Sequence, residues 1–82
     1  MEDVISLHIV SPEGKLADRK VSAVSLPGTL SPFEVLKDHG ALISSLEKGE
    51  IVYVSEGREH RLPISSGFVE VRDNQVTACV EV

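Results

Sequence analysis

Apolar and polar residues alternate with a period of two along most of this chain, and that period matches the two faces of a β-strand. Near the start, Ile5, Leu7 and Ile9 alternate with Ser6 and His8. No segment longer than about ten residues repeats its apolar positions with the helical period. Valine is frequent and aromatic residues make up only 4% of the chain, so the core must be aliphatic. The alternation therefore predicts an all-β fold with short helices at most.

Turn residues divide the chain into short segments. Examples are Pro12 with Gly14, Pro27 with Gly28, and Asp73 with Asn74. The strands predicted between such turns are, in order, residues 5–10, 21–26, 41–46, 51–54, 58–64, 68–72 and 75–82. Residues 29–38 predict a long loop or an irregular edge. The spacing predicts a flattened barrel or two-sheet β-sandwich of about eight to ten short strands, in a single domain over residues 1–82.

Two details of the later strands can be predicted from side-chain chemistry. Pro63 lacks a backbone N–H, so its strand must end there or lie at a sheet edge. The last hairpin alternates strictly, which predicts one buried face formed by Val69, Val71, Val76, Ala78, Val80 and Val82.

Charge and composition narrow the possible partners. The net charge of −5 opposes binding to nucleic acid or to an anionic lipid surface. No apolar run approaches the length of a membrane span, so direct lipid insertion is not expected. The single cysteine, Cys79, cannot form an internal disulfide, and the N-terminus lacks the features of a secretory signal. These features indicate a cytoplasmic protein.

No motif for catalysis or for cofactor binding is present in the sequence. His8, His39 and His60 are widely separated and lack the spacing of zinc ligands. Neither a phosphate-binding glycine loop nor a nucleophile elbow occurs. Asp38 and His39 are adjacent, but a triad needs a third group from elsewhere in the fold. We therefore expect no catalytic site, no cofactor and no metal. The domain is instead expected to have a binding or scaffolding role.

The order of segments resembles the N-terminal domain of the epsilon-subunit family of F-type ATP synthases. The opening Leu7-His8-Ile9-Val10-Ser11-Pro12-Glu13 is similar to the first strand and turn of that family. The segments that follow, with the same spacing through the first half, are Val24-Ser25-Leu26-Pro27-Gly28, Asp38-His39-Gly40-Ala41-Leu42, Lys48-Gly49-Glu50-Ile51 and Ser65-Ser66-Gly67-Phe68-Val69-Glu70-Val71. The resemblance covers nearly the whole chain, although no single motif in it is specific.

The resemblance also implies which residues face which partner. It assigns Ser11, His39 and Ser44 to the side that faces the gamma subunit, and Phe33 and Glu34 to the loop that faces the membrane-embedded c-ring. In this loop the chain departs from the family pattern, because Pro32 replaces the usual acidic residue and fixes φ at that point. We expect Glu34 to supply the carboxylate instead.

The implied function is that of a rotor subunit without a reaction of its own. It would link gamma to the c-ring in the central stalk of a proton- or sodium-driven ATP synthase, at the cytoplasmic face of the bacterial inner membrane. The family continues into a two-helix domain that this sequence lacks after Val82. In isolation we expect a monomer or weak self-association. A non-catalytic β-sandwich adaptor of another complex and a small enzyme subunit are the alternative functions.

Overall fold

The structure, a computed structural model, describes residues 2–82, and this part of the chain contains nine β-strands and no helix. The strands are β1 (Ile5–Ser11), β2 (Gly14–Val21), β3 (Ala23–Leu26), β4 (Phe33–Val35), β5 (Leu42–Leu46), β6 (Gly49–Ser55), β7 (Arg58–Ile64), β8 (Ser66–Arg72) and β9 (Gln75–Glu81). Within residues 2–82 there is accordingly no helix capable of crossing a bilayer. The predicted all-β sandwich of about eight to ten strands is confirmed.

The nine strands form two sheets that pack face to face. The five-stranded sheet has the order β2-β1-β9-β8-β5, and the four-stranded sheet has the order β4-β3-β6-β7. All neighbouring strands are antiparallel except β1 and β9, which run parallel with Ser6 beside Gln75 and Val10 beside Cys79. The strands β2, β5, β4 and β7 are therefore the sheet edges, and Pro63 lies on the edge strand β7, as predicted.

The prediction of one strand over residues 21–26 was wrong in its extent. The chain forms β2 up to Val21, passes buried Ser22, and continues as β3 in the other sheet. β2 runs antiparallel to β1 along its length, with Ile5 opposite Val21. The strand was missed because it is an edge strand whose residues from Lys15 to Lys20 are almost all exposed, so the apolar alternation is absent.

Two other local predictions had different outcomes. The segment 29–38, predicted as a loop or irregular edge, contains the three-residue edge strand β4. Val82, predicted to share the buried face of the last hairpin, is 66% exposed. The register explains the error, because the pairing of β8 with β9 ends at Ser66 and Glu81 and leaves no neighbouring strand to cover Val82.

Aliphatic side chains from both sheets fill the space between them. The buried apolar residues include Ile5, Leu7, Ile9, Val21, Val24, Leu26, Val35, Leu46, Ile51, Ile64, Val69, Val71, Val76, Ala78 and Val80. Each valine, leucine or isoleucine among them contributes about 1.5–3 kcal/mol when its side chain is fully removed from water. The buried hydroxyl of Ser55 donates to the Lys20 carbonyl at 2.9 Å, which links the two sheets where β2 passes β6. The outer faces of the two sheets are therefore the surfaces that remain accessible to partners.

Candidate docking surface

The outer face of the five-stranded sheet carries exposed apolar side chains. Ile43 on β5 is 75% exposed, and Phe68 on β8 is 56% exposed. Ile43 lies opposite Glu70 and Phe68 lies opposite Ser45, so the two apolar side chains are diagonal neighbours on one face. Cys79 lies beside Phe68, and Val10 lies beside Cys79. We call Val10, Ile43, Phe68 and Cys79 the apolar patch.

The sequence contained a signal for this patch that the reasoning from sequence did not use. Val69 and Val71 occupy the buried positions of β8, so the alternation requires Phe68 to point away from the core. A phenylalanine at a solvent-facing strand position is costly to leave in water, and an exposed apolar cluster indicates an interaction site.

Ser11 lies at the margin of the apolar patch. It ends β1 and lines a groove of about 310 Å³ together with Val10, Pro12, Gly67, Phe68, Cys79, Val80 and Glu81. Its hydroxyl lies 3.4 Å from both Glu13 Oε1 and the Gly14 carbonyl oxygen. Both distances are long for hydroxyl hydrogen bonds, so the hydroxyl can turn toward a partner.

His39 lies at the opposite end of the same sheet, in the loop between β4 and β5. The preceding residue ties this loop to the β8–β9 turn, because the Asp38 N–H donates to Asn74 Oδ1 at 2.7 Å and Asn74 Nδ2 donates to Asp38 Oδ1 at 3.1 Å. We call this pair the Asp38–Asn74 clamp. The imidazole Nδ1 lies 2.7 Å from the Gly40 carbonyl oxygen, and the ring is half-buried. The clamp therefore fixes where His39 sits.

Ser44 lies on the inner side of the five-stranded sheet. It is paired with Val69, which is fully buried, and directly paired residues share a sheet face. Its hydroxyl donates to the Ser45 carbonyl at 2.9 Å. The structure thus puts Ser11 and His39 at two ends of the sheet with the apolar patch between them, whereas Ser44 points away from that surface.

Phe33 and Glu34 point in opposite directions from the edge strand β4. Phe33 is opposite buried Leu26 and packs half-buried against the core, which makes it mainly a core residue. Glu34 is opposite Ser25 on the outer face and is exposed. Leu30, in the loop that leads into β4, is 99% exposed and was not singled out from sequence. This exposure depends on the path of the loop, which the residue pattern does not encode.

Ion pairs on the two outer faces set the local electrostatics. On the four-stranded sheet, Arg61 lies 3.1 Å from Glu50 and 2.9 Å from Glu59, and these hydrogen bonds raise the pKa of Arg61. On the five-stranded sheet, Asp18 lies 2.8 Å from Lys15 and 3.1 Å from His8. The hydrogen bond from Lys15, reinforced by its charge, lowers the pKa of Asp18. All of these groups are at the surface and orient one another.

The three histidines are bound to separate partners in the structure. His8 pairs with Asp18, His39 with a backbone carbonyl, and His60 with Arg19. Across residues 2–82, no group of three His, Cys, Asp or Glu side chains is close enough to hold a metal ion.

Comparison of the sequence with a family model and with known proteins gives matches over nearly the whole chain. The family model described as "ATP synthase, Delta/Epsilon chain, beta-sandwich domain" matches residues 4–82. The ATP synthase epsilon chain of Desulfitobacterium hafniense (strain Y51) is 42% identical over 77 residues, which are 94% of this chain and 58% of the relative. That of Nitratidesulfovibrio vulgaris (strain DP4) is 37% identical over 81 residues, 99% of this chain and 60% of the relative. The chain thus spans less than two thirds of the length of these relatives.

Solved structures share the fold at lower identity. A chain in the cryo-EM structure of the Euglena gracilis mitochondrial ATP synthase, OSCP/F1/c-ring, matches with a TM-score of 0.87 and 23% identity over 98% of this chain and 52% of that one. A chain in the Tetrahymena thermophila mitochondrial ATP synthase central stalk and c-ring matches with a TM-score of 0.80 and 15% identity, over 96% and 64% of the two chains. At these identities the matches establish the sandwich fold.

Proposed function

We propose a function for this chain from one premise, which is that it belongs to the ATP synthase delta/epsilon family through its β-sandwich domain. Its function is that of a rotor subunit in the central stalk of an F-type ATP synthase. It links the gamma subunit to the c-ring and thereby supports the coupling of ion flow to ATP synthesis. Its place is at the cytoplasmic face of the bacterial inner membrane, as a peripheral part of the complex.

The apolar patch is the observation that carries this proposal. Ile43 and Phe68 are exposed on the outer sheet face, where contact of apolar side chains with water is unfavourable, and a partner that covers them gains apolar burial. We assign this face to gamma, with Ser11 and His39 as polar contacts at its two ends. Because Ser44 faces inward, it acts on this contact only through the packing of β5.

The loop before β4 and the outer side of β4 supply the second contact, toward the c-ring. Leu30 offers an apolar side chain at the loop tip, and Glu34 offers a carboxylate on the strand. Phe33 supports this loop from the inside, because it packs against the core and closely approaches Gly28. The contact to the c-ring thus combines one apolar and one acidic group.

A stiff sandwich suits a subunit that transmits torque without performing chemistry. Its backbone hydrogen bonds run across both sheets, and its interior is close-packed, so it resists deformation when two partners pull on different surfaces. ATP synthesis and hydrolysis belong to other subunits of the complex, and this chain contributes no catalytic group.

Co-elution with purified gamma subunit tests the proposal. We expect the 82-residue chain to co-elute with gamma on size exclusion, and Phe68→Asp and Ile43→Asp each to weaken the complex by about tenfold or more, because a buried charge replaces an apolar contact. Leu16→Asp, which changes an exposed apolar residue on β2, is the matched control and should bind normally.

Two results would contradict this assignment. Equal binding by the Phe68→Asp and Leu16→Asp variants would remove the apolar patch as the gamma contact. A failure of the unchanged chain to bind either gamma or the c-ring would favour the alternative, a sandwich adaptor of another complex.

A further inference from the structure

Two edge strands, one from each sheet, bring basic side chains together on the side of the sandwich away from β4 and β5. Arg19 on β2 is paired with buried Leu7, so it points inward across the gap between the sheets. On the other sheet, His60 of β7 is paired with Tyr53, and their rings stack with centroids 5.0 Å apart. Arg19 Nη1 lies 3.3 Å from His60 Nε2, which orients the guanidinium over the gap.

These groups line an open cleft of about 350 Å³. Its walls are formed by Arg19, Ser55, Glu56, Arg58 and His60. The Ser55 hydroxyl is already used, since it donates to the Lys20 carbonyl oxygen at 2.9 Å. The donors that remain for a ligand are therefore the two guanidinium groups and the Nδ1–H of the imidazole, since His60 Nε2 accepts from Arg19. The Glu56 carboxylate also lines the cleft and opposes an anion.

The charge balance of the cleft differs from that of the rest of the chain. Arg61 and Lys15 are held by carboxylates. By contrast, within residues 2–82 no carboxylate lies within 4.0 Å of the basic nitrogens of Arg19 or Arg58. The lining of the cleft thus carries two guanidinium charges against the single carboxylate of Glu56, on a chain whose net charge is −5.

We propose that this cleft, formed by Arg19, Arg58 and His60, is a binding site for a phosphate group. A guanidinium presents several N–H donors in a plane that matches the oxygens of phosphate, and one hydrogen bond to His60 leaves most of the Arg19 donors unused. Two guanidinium groups with an imidazole suit a dianion better than a monoanionic carboxylate. The ligand is either free inorganic phosphate or a phosphate monoester.

The position of the cleft makes this site independent of the function proposed above. The β5 edge lies next to the loop before β4, where Thr29 and Ser45 are joined by a hydrogen bond of 2.7 Å, whereas β2 and β7 are the opposite edges of the two sheets. Partners on the apolar patch and on β4 would leave the cleft open. Phosphate binding can therefore be tested on the 82-residue chain alone.

Titration with inorganic phosphate, followed by ¹H–¹⁵N NMR, tests the site. We expect saturable shifts in the amides of residues 55–60 and in the side-chain N–H signals of Arg19 and Arg58. Sodium chloride at matched ionic strength should not reproduce them, and acetate should require higher concentrations. Glycerol phosphate distinguishes the two sources, because tighter binding than inorganic phosphate would identify a monoester as the ligand.

Variants at the cleft give the decisive comparison. Arg19→Gln and Arg58→Gln should each weaken phosphate binding by about tenfold or more, since each removes a charge-assisted contact. Arg72→Gln, an exposed arginine near the Asp38–Asn74 clamp, is the matched control and should bind as the unchanged chain does. The dispersion of the amide spectrum verifies that each variant is folded.

Substitution of Glu56, the acidic residue that lines the cleft, should change phosphate affinity in the opposite direction to the arginine variants. Glu56→Gln removes the negative charge from the cleft and should tighten phosphate binding several-fold, while its backbone N–H keeps its bond to Asp3 Oδ2 at 2.8 Å. The proposal is overturned if chloride or acetate shifts the same signals as effectively as phosphate does. Equal losses in the Arg72 and Arg58 variants would overturn it as well.

Discussion

The carboxylate of Asp18 lies between two basic side chains on the outer face of the five-stranded sheet. Lys15 donates to it at 2.8 Å, and this hydrogen bond holds the pKa of Asp18 below its ordinary value of 3.8. Because the folded state has the lower pKa, the contribution of the ion pair is complete above the unfolded-state value. It is lost as the pH falls through the folded-state pKa. The carboxylate is exposed at the surface, so solvent screens the ion pair, and its effect on stability is small and confined to acid pH.

Replacement of Lys15 should raise the pKa of Asp18 back toward its ordinary value. In Lys15→Gln we expect the titration midpoint of the Asp18 carboxyl carbon, measured by NMR between pH 2 and 6, to rise toward 3.8, since the hydrogen bond and the charge of Lys15 are removed. Lys20→Gln on the same strand is the control, because Lys20 Nζ bonds Ser6 Oγ instead. An unchanged midpoint in the Lys15 variant would mean that the ion pair does not persist in solution.

Gly67 shows how a single residue permits three strands to pack. It is the second residue of β8, which lies between β5 and β9, and it is paired with Leu46 on one side and Val80 on the other. A Cβ at this position would lie 2.5 Å from the Cys79 carbonyl oxygen and 3.0 Å from Val80 Cα. Both atoms belong to the backbone of the neighbouring strand, so they cannot move aside without shifting β9.

We therefore expect Gly67→Ala to lower the free energy of unfolding by about 2–3 kcal/mol. Gly40→Ala is the matched control, because nothing lies within 4 Å of the added Cβ there, and its effect should stay within about 0.5 kcal/mol. Urea denaturation followed by circular dichroism measures both. Similar midpoints for the two variants would show that β9 can adjust.

The hairpin of β8 and β9 depends on a turn in which both central residues have positive φ. Asp73 has a φ of 50° and Asn74 a φ of 58°, values that favour a two-residue hairpin turn. Asn74 also forms the clamp to Asp38, which itself has a φ of 63°. One side chain thus joins the turn geometry to the position of the His39 loop.

Two substitutions separate these roles of Asn74. Asn74→Gly keeps the positive φ but removes the clamp, and should cost about 1 kcal/mol of stability. Asn74→Ala removes the clamp and strains the backbone, and should cost about 2 kcal/mol or more. Thermal or urea unfolding gives the values, and the His39 ring signals should shift in both variants. A Gly variant less stable than the Ala variant would contradict this division.

The strands that could be predicted from sequence are those whose apolar alternation and turn residues lie within one short segment of the chain. The hairpins of β6 with β7 and β8 with β9 combine alternating apolar residues with turn residues such as Gly57 and Asn74, so they are apparent in short windows. β2 has a polar surface on an edge, and its pairing with β1 stabilises it more than its own pattern does. The parallel pairing of β1 with β9 joins the two ends of the described chain and leaves no local trace.

The candidate surfaces also differ in how far the sequence predicts them. The exposure of Phe68 follows from the strand alternation, whereas the cleft of Arg19 and His60 arises only when β2 and β7 come together across two sheets. The inward direction of Ser44 depended on the register of β5 against β8. Alternation alone cannot give that register, because the central residues of β5 are isoleucine followed by two serines.

The whole domain in isolation has an uncovered apolar patch. The β5 edge beside it is partly covered by the chain before β4, since Thr29 N–H donates to the Ser45 carbonyl at 3.1 Å and Glu47 N–H to the Pro27 carbonyl at 2.9 Å. Face-to-face contact through the patch is therefore more accessible than pairing of strand edges.

We predict weak, concentration-dependent dimerisation of the isolated chain, which should disappear in Phe68→Asp and persist in Leu16→Asp. Sedimentation velocity over a hundredfold range of concentration measures this. Added gamma subunit should compete with the dimer, because the proposed gamma contact and the dimer contact share Phe68. A chain that stays monomeric at the highest concentration would show that the apolar patch does not drive self-association.

The neighbouring positions of β1 and β9 have a consequence for how the protein is made. Among the nine described strands, β1 is synthesised first, yet the strand between it and β8 is synthesised after the other eight. Until then the interior surfaces of Leu7 and Ile9 lack their neighbours Val76 and Ala78. Closure of the sheet must therefore wait for the emergence of β9, and contacts so distant in sequence form slowly. During that interval the apolar inner face of β1 is open on one side to contact with other chains.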